Sequence, residues 1–359
     1  MVNFKKKLLS FRNRNELDNL SKKELIERYT DLKREHEELL AARRNETTAR
    51  SFCNWSFVDF YFRDDFEEKF HEMVKDLPWQ SKSYFKWLFL RILAVNYAGR
   101  DTLFLDDELR DQKTFKEFQK NKVSDGKVGD FKFKGEFNLH GFIDLKLTDA
   151  DREFLKDKDI IDAGAFTGDT ALPLSKITNK NVYAFEPFEE SYNLLKENIE
   201  ANNLFNVHAV NKSLGDINGE RTLYLSGDNF QGITSDANLR NYSKELKVEE
   251  VTLDQFVSEN DLDVGLITID VEGAEQNLLK GAMDTIKSQK PILFISIYHN
   301  VADFFEIKPW IQSLDLGYEF SIVKEQPWTF VADTILQCRP YWFFLILKNY
   351  LLKQLRIIY

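Results

Sequence analysis

Ile160-Ile161-Asp162-Ala163-Gly164-Ala165-Phe166-Thr167-Gly168-Asp169 runs from an apolar strand into a glycine-bearing turn, and a helical pattern follows over 169–177. Glycine reaches the left-handed backbone that such a turn needs and lets the main chain approach a ligand closely. The first N–H groups of the next helix have no partner inside it and suit an anionic group. The spacing is Gly-x-x-x-Gly, not the Gly-x-Gly-x-x-Gly of dinucleotide sites, and a carboxylate, Asp162, stands directly before it. A carboxylate there repels a diphosphate and attracts an ammonium group. Asp162, Gly164, Gly168 and Asp169 are therefore candidate contacts for a ligand with an amino-acid head. The competing reading is a tight strand-to-helix turn with a capping Asp.

Three further strand ends carry chemistry. Val182-Tyr183-Ala184-Phe185-Glu186-Pro187 puts Glu186 24 residues after Asp162, where a carboxylate can accept from both hydroxyls of a ribose. Ile267-Thr268-Ile269-Asp270-Val271-Glu272-Gly273-Ala274-Glu275 ends in three carboxylates. They suit a divalent cation, a general base or a donor contact, although Glu272 and Glu275 also fit as acids in a helix's first turn. Ser296-Ile297-Tyr298-His299 ends the next apolar run, and its imidazole could take a proton from a hydroxyl.

Outward from these ends, short apolar runs alternate with helical patterns from residue 158 to about 314: strands at 159–162, 181–186, 206–210, 264–270 and 292–297, helices at 169–177, 189–202, 275–286 and 301–314. Strands apolar on both faces belong in a parallel sheet covered by helices, and the alternation predicts a doubly wound, mostly parallel α/β sheet of seven strands. Runs at 221–225 and 246–252 read as an inserted hairpin. Runs at 318–323 and 330–338 have no helix between them and read as an antiparallel pair closing the sheet edge.

The 359 residues divide into a charged helix (1–50), a helical aromatic-rich cap with a small hairpin region (51–150), the α/β domain (151–340) and an apolar, basic tail (341–359). In residues 13–46, Leu25, Leu32 and Leu39 recur every seven positions, which suits a coiled-coil homodimer or a helix lying on its own domain. The cap is helical in period, with a break at Leu77-Pro78, and its aromatic walls suit binding of a sugar-like acceptor. Alternation at 131–133 and 142–145 reads as short strands. The tail reads either as an interfacial membrane helix or as a helix docked on the cap. A net charge of −10 argues against a nucleic-acid partner. Two distant cysteines, Cys53 and Cys338, leave no disulfide framework or zinc spacing. With no secretory h-region and no spanning stretch, the expected location is the cytoplasm, with peripheral membrane contact through the tail as a candidate.

Taken together, Ile-Asp-Ala-Gly-Ala-Phe-Thr-Gly-Asp-Thr (161–170), Phe-Glu-Pro (185–187), Asn-Lys-Ser-Leu-Gly-Asp (211–216), Val-Thr-Leu-Asp-Gln-Phe (251–256), Ile-Asp-Val-Glu-Gly-Ala-Glu (269–275) and Ile-Tyr-His (297–299) resemble the FkbM-type methyltransferase family over about residues 140–340. The resemblance implies a class I methyltransferase fold, S-adenosylmethionine as cofactor and O-methylation of a sugar, glycan or related small molecule. It assigns Asp162, Gly164, Gly168 and Glu186 to the cofactor and puts Ser213 and Asp216 near the adenine. Phe166 stands where many members have Asn. For the chemical step, His299 or Asp270 is the candidate base. Mg²⁺ held by Asp270 with Glu272 or Glu275 is an alternative way to activate the hydroxyl. The rival readings are an NAD-dependent oxidoreductase and a non-catalytic dimeric scaffold that docks on membrane.

Overall fold

The computed structural model describes residues 60, 63–85, 88, 104, 106–225, 233–234, 244–329 and 331–341. The heptad region at 13–46 and the tail beyond residue 341 lie outside them. In chain order the elements are α1 (Phe66–Val74), α2 (Asp106–Lys122), β1 (Val123–Ser124), β2 (Lys127–Val128), β3 (Phe131–Lys132), α3 (His140–Ile143), α4 (Asp149–Leu155), β4 (Asp159–Ala163) and α5 (Ala171–Leu174). Then come β5 (Val182–Phe185), α6 (Glu189–Ala201), β6 (Val207–Val210), β7 (Ser213–Leu214), β8 (Gly219–Leu225), β9 (Ile233–Thr234), β10 (Lys244–Val251) and α7 (Leu253–Glu259). The chain continues through β11 (Val264–Ile269), α8 (Glu275–Gly281), α9 (Met283–Gln289), β12 (Ile292–Ser296), α10 (Val301–Ser313), β13 (Tyr318–Lys324) and β14 (Thr334–Pro340).

The seven-stranded sheet has the order β13-β14-β12-β11-β4-β5-β6. The five strands from β12 to β6 are mutually parallel, and β14 is antiparallel to both of its neighbours. All five residues of β4 are buried, as expected for a central strand covered on both sides. Its side chains alternate between two cores: Ile161 and Ala163 face one with α8, α9 and α10, and Ile160 faces the other with α4, α5 and α6. Among the described residues no helix is long and apolar enough to cross a membrane.

The winding direction reverses beside β4: β5 and β6 extend the sheet to one side, β11 and β12 to the other. The reversal opens a crevice at the carboxyl ends of β4 and β11. The insertion after β6 forms a separate four-stranded sheet, β7-β10-β8-β9, rather than a simple hairpin.

Local structure departs from the sequence reading in four places. The helix after the glycine turn is only Ala171–Leu174, and Pro173 lies within it. The expected helix 275–286 is two helices hinged at Ala282. At the end of the first, Gly281 is so close to the Gly215 carbonyl that a Cβ would stand 1.9 Å from its oxygen. Residues 140–143, read in part as strand, make one helical turn, because Gly141 fits against the Asp169 carbonyl while Phe142 packs on Phe131, Phe133 and Phe137. The fourth departure concerns the aromatic cap. Its described residues Phe60, Phe66 and Phe85 pack on Phe304 and Phe305 of α10, as core and not as cavity wall. The break at Pro78 does separate α1 from helical residues 79–85. Lys308 of α10 secures α1 by donating to the Glu72 carbonyl at 3.1 Å and to that of Lys75.

The three-stranded sheet β1-β2-β3 is bound to α6 by two asparagines one helical turn apart. Asn202 accepts from the Lys132 N–H at 2.8 Å and donates to its carbonyl at 2.7 Å. Asn198 does the same for Lys134, at 2.8 and 3.0 Å, and also donates to Thr167 in the glycine turn.

Candidate active site

The crevice is built on the glycine turn. Gly164 has φ +85°, and a Cβ there would stand 1.9 Å from the Asp270 carbonyl oxygen, so the ends of β4 and β11 meet only over glycine. Phe166 also adopts a left-handed conformation, φ +48°, which aims its N–H at the Glu186 carboxylate, 2.9 Å away. Gly168 does something different from the expectation. A Cβ on it would collide with Leu172 and Leu195, and it is absent from the cavity lining, so its role is tight packing behind the turn.

Three carboxylates surround this turn. Asp162 accepts from the Thr268 hydroxyl through Oδ1 at 2.6 Å, whereas its buried Oδ2 has no hydrogen-bond partner. Burial raises its pKa to about 6. Asp169 accepts from the Asn138 N–H at 2.6 Å and is likewise raised to about 6 by burial. Glu186 takes one main-chain N–H on each oxygen, from Phe166 and Phe188, yet burial still pushes its pKa up to about 8.

The second half of the crevice is the edge of β11 and β12. Asp270 and Glu272 line the cavity. Burial raises the Asp270 pKa despite the nearby His299, and the Tyr298 hydroxyl donates to Asp270 at 3.3 Å. His299 stands behind them and does not line the cavity. Its Nδ1 lies 2.9 Å from Glu275 Oε1, and Glu275 also accepts from the Val271 N–H at 3.1 Å. Burial would lower the His299 pKa, but Glu275, with Asp270 and Glu272, outweighs it and brings the value to about 10. In the ligand-free protein the imidazole therefore sits among Glu275, Asp270 and Glu272, behind the cavity wall. Glu275 is fully buried and serves the imidazole, not the cavity.

Some wall residues carried no sequence signal of their own. Asn138, His140, Leu145 and Leu147 come from the segment before β4, and Glu325 follows β13. His140 Nε2 lies 3.3 Å from Glu325, whose pKa burial drives well above the carboxylate range. The segment carrying Leu145 and Leu147 is anchored by Arg339 of β14. Arg339 pairs with buried Asp151 at 2.9 Å and donates to the Lys146 carbonyl at 3.3 Å. Asp151 in turn closes a capping box with Thr148 at the start of α4. Of the two residues expected near an adenine, Ser213 lines the cavity and Asp216 does not. Asp216 instead pairs with Arg221, which also holds buried Glu250 at 2.6 Å.

The strand order and the crevice at the switch point define a class: a doubly wound, Rossmann-like α/β fold with carboxyl groups at the ends of β4, β5 and β11. Residues 162–320 match the family described as Methyltransferase FkbM domain. Over 194 residues the chain is 27% identical to Methyltransferase 1 of Beauveria bassiana (strain ARSEF 2860), a match covering 48% of this chain and 76% of the relative. Among solved structures, a methyltransferase FkbM from Methylobacillus flagellatus KT is similar with a TM-score of 0.47 and 16% identity, over 79% of this chain and 60% of that one. The chain thus matches less than two thirds of that protein's length. Aeropyrum pernix fibrillarin, solved with natively bound S-adenosyl-L-methionine, is similar with a TM-score of 0.32 and 11% identity, over 52% of this chain and 68% of its own.

Proposed function

We propose that the protein transfers the methyl group of S-adenosylmethionine to a hydroxyl of a sugar, glycan or related small molecule. The observation that carries this reading is the set of carboxyl groups on the cavity wall, which a cationic ligand would hold ionised. Asp162, Asp169, Glu186, Glu250, Asp270, Glu272 and Glu325 line it, against a single lysine, Lys212, among the lining residues. Such a wall disfavours a diphosphate and favours a donor with a sulfonium and an ammonium group. The unpartnered Asp162 Oδ2 is an acceptor waiting for that ammonium, and Gly164 leaves room for the amino-acid head. Glu186, fixed by two N–H groups, fits the ribose hydroxyls, and Ser213 with Leu214 and Leu223 forms the wall beyond it.

When bound, the donor supplies an already activated methyl group, so the protein's task is alignment and removal of the acceptor's proton. A base contributes about 10²–10⁴-fold to such a step. Asp270 is the base in this reading: it lines the cavity, its pKa is raised, and Tyr298 orients it.

Calorimetric titration with S-adenosylhomocysteine and, separately, NAD⁺ tests the donor. A methyl-transfer screen with labelled donor against glycans and small polyols tests the acceptor. Binding of NAD⁺ without S-adenosylhomocysteine would overturn the proposal.

A further inference from the structure

His299 presents an imidazole nitrogen that the fold leaves without a hydrogen bond. The side chain is 1% exposed, and Nε2 has no hydrogen-bond partner. It points toward Asp270 Oδ1 at 3.4 Å and Glu272 Oε2 at 3.7 Å, both beyond a normal N–H···O bond. Leaving a buried polar nitrogen unpaired is costly, so the arrangement calls for a ligand.

The spacing suits one chemistry. With metal–ligand bonds of about 2.0–2.2 Å, adjacent donors around an ion stand roughly 3–3.6 Å apart. The separation from Asp270 is too long for a normal hydrogen bond and falls within that range, and the separation from Glu272 lies just beyond it. The other ring nitrogen strengthens the reading. Nδ1 lies 2.9 Å from Glu275 Oε1, the carboxylate–imidazole contact that fixes the tautomer and orientation of a metal-bound histidine. Glu275 Oε1, which meets Nδ1, also accepts from the Val271 N–H, so it is placed as the orienting carboxylate.

We infer that His299 Nε2, Asp270 and Glu272 form a binding site for a divalent transition-metal cation, with Glu275 orienting the imidazole and the remaining coordination positions open to the cavity. The nitrogen in the donor set favours Mn²⁺, Fe²⁺, Co²⁺ or Zn²⁺ over Mg²⁺. With the cation bound, Asp270 would hold the metal instead of acting as a free base, and the ion would lower the pKa of an acceptor hydroxyl at an open position.

The test uses the full chain stripped of metal and titrated with Mn²⁺. One Mn²⁺ should bind per chain, and pulsed electron paramagnetic resonance should show ¹⁴N coupling from an imidazole. Glu275→Gln should weaken binding about 10–100-fold, as loss of an orienting carboxylate does. His299→Gln should abolish the nitrogen coupling. The spectroscopic readout on the unaltered chain needs no variant to fold. Absence of a stoichiometric site, or bound Mn²⁺ without nitrogen coupling, would overturn the inference and leave His299 as an internal ion-pair partner. S-adenosylhomocysteine binding to the metal-free chain is measured in parallel, so loss of the cation site is separable from loss of the donor reading.

Discussion

At the scale of single residues, the crevice depends on positions with no room for substitution. Gly164 combines a left-handed backbone with a close approach to the Asp270 carbonyl, and Gly164→Ala would break both. The left-handed strain alone costs about 1–3 kcal/mol. Because the strand ends must also part, S-adenosylhomocysteine affinity should fall at least about tenfold, read by calorimetry. Asp162 gives a prediction with a sign. A cationic ligand favours its ionised form, and its pKa in the ligand-free protein is about 6. Donor affinity should therefore rise as pH passes upward through about 6, with proton release on binding below that value. Asp162→Asn should remove the pH dependence and weaken binding at neutral pH. Asp162, Glu186 and Asp270 were legible in the sequence because each ends an apolar strand. His140 and Glu325 were not, because His140 opens the short helix α3 and Glu325 follows β13, and the position of each depends on packing far away in the chain.

At the scale of elements, the sequence reading was right where periodicity is long and wrong where one contact decides. The strands are where the apolar runs lie. The break within 275–286 comes from Gly281 meeting Gly215, a contact between segments 66 residues apart that no periodicity can reveal. The helical turn at 140–143 has the same origin, with Gly141 against Asp169. The anchoring of Leu145 and Leu147 allows a quantitative expectation. Arg339→Met leaves buried Asp151 without its cation, and breaking such a pair costs about 3–5 kcal/mol. The loss should appear in chemical denaturation, and Asp151→Asn combined with Arg339→Met should recover part of it.

At the scale of the molecule, a ligand-free protein that buries many carboxyls at one crevice accepts a penalty that depends on pH. Folding raises the pKa of Asp162 and Asp169 from 3.8 to about 6, and that of Glu186 from 4.5 to about 8. Between the unfolded and folded values the native state holds more protons, so stability falls as pH rises. The ligand-free melting temperature should therefore decline from about pH 4 to about pH 8 through these groups. A bound donor offers compensating positive charge, so S-adenosylhomocysteine, through its ammonium, should raise the melting temperature more at pH 8 than at pH 5. A ligand-free melting temperature that rose across this window would show these groups to be ionised at ordinary pH.

The asparagine pair on α6 has a consequence for how the small sheet comes loose. Asn198 and Asn202 occupy both main-chain groups of Lys134 and Lys132, so a helix supplies what a neighbouring strand would supply. Such a seam cannot fray one residue at a time without stranding a donor and an acceptor together. The Lys132 and Lys134 amides should exchange with deuterium at one common rate, and Asn198→Ala should speed both, because Asn198 also links the seam to Thr167. Because the segment running on from Lys134 carries Asn138 and His140 into the cavity wall, loosening of that seam should be felt at the ligand crevice.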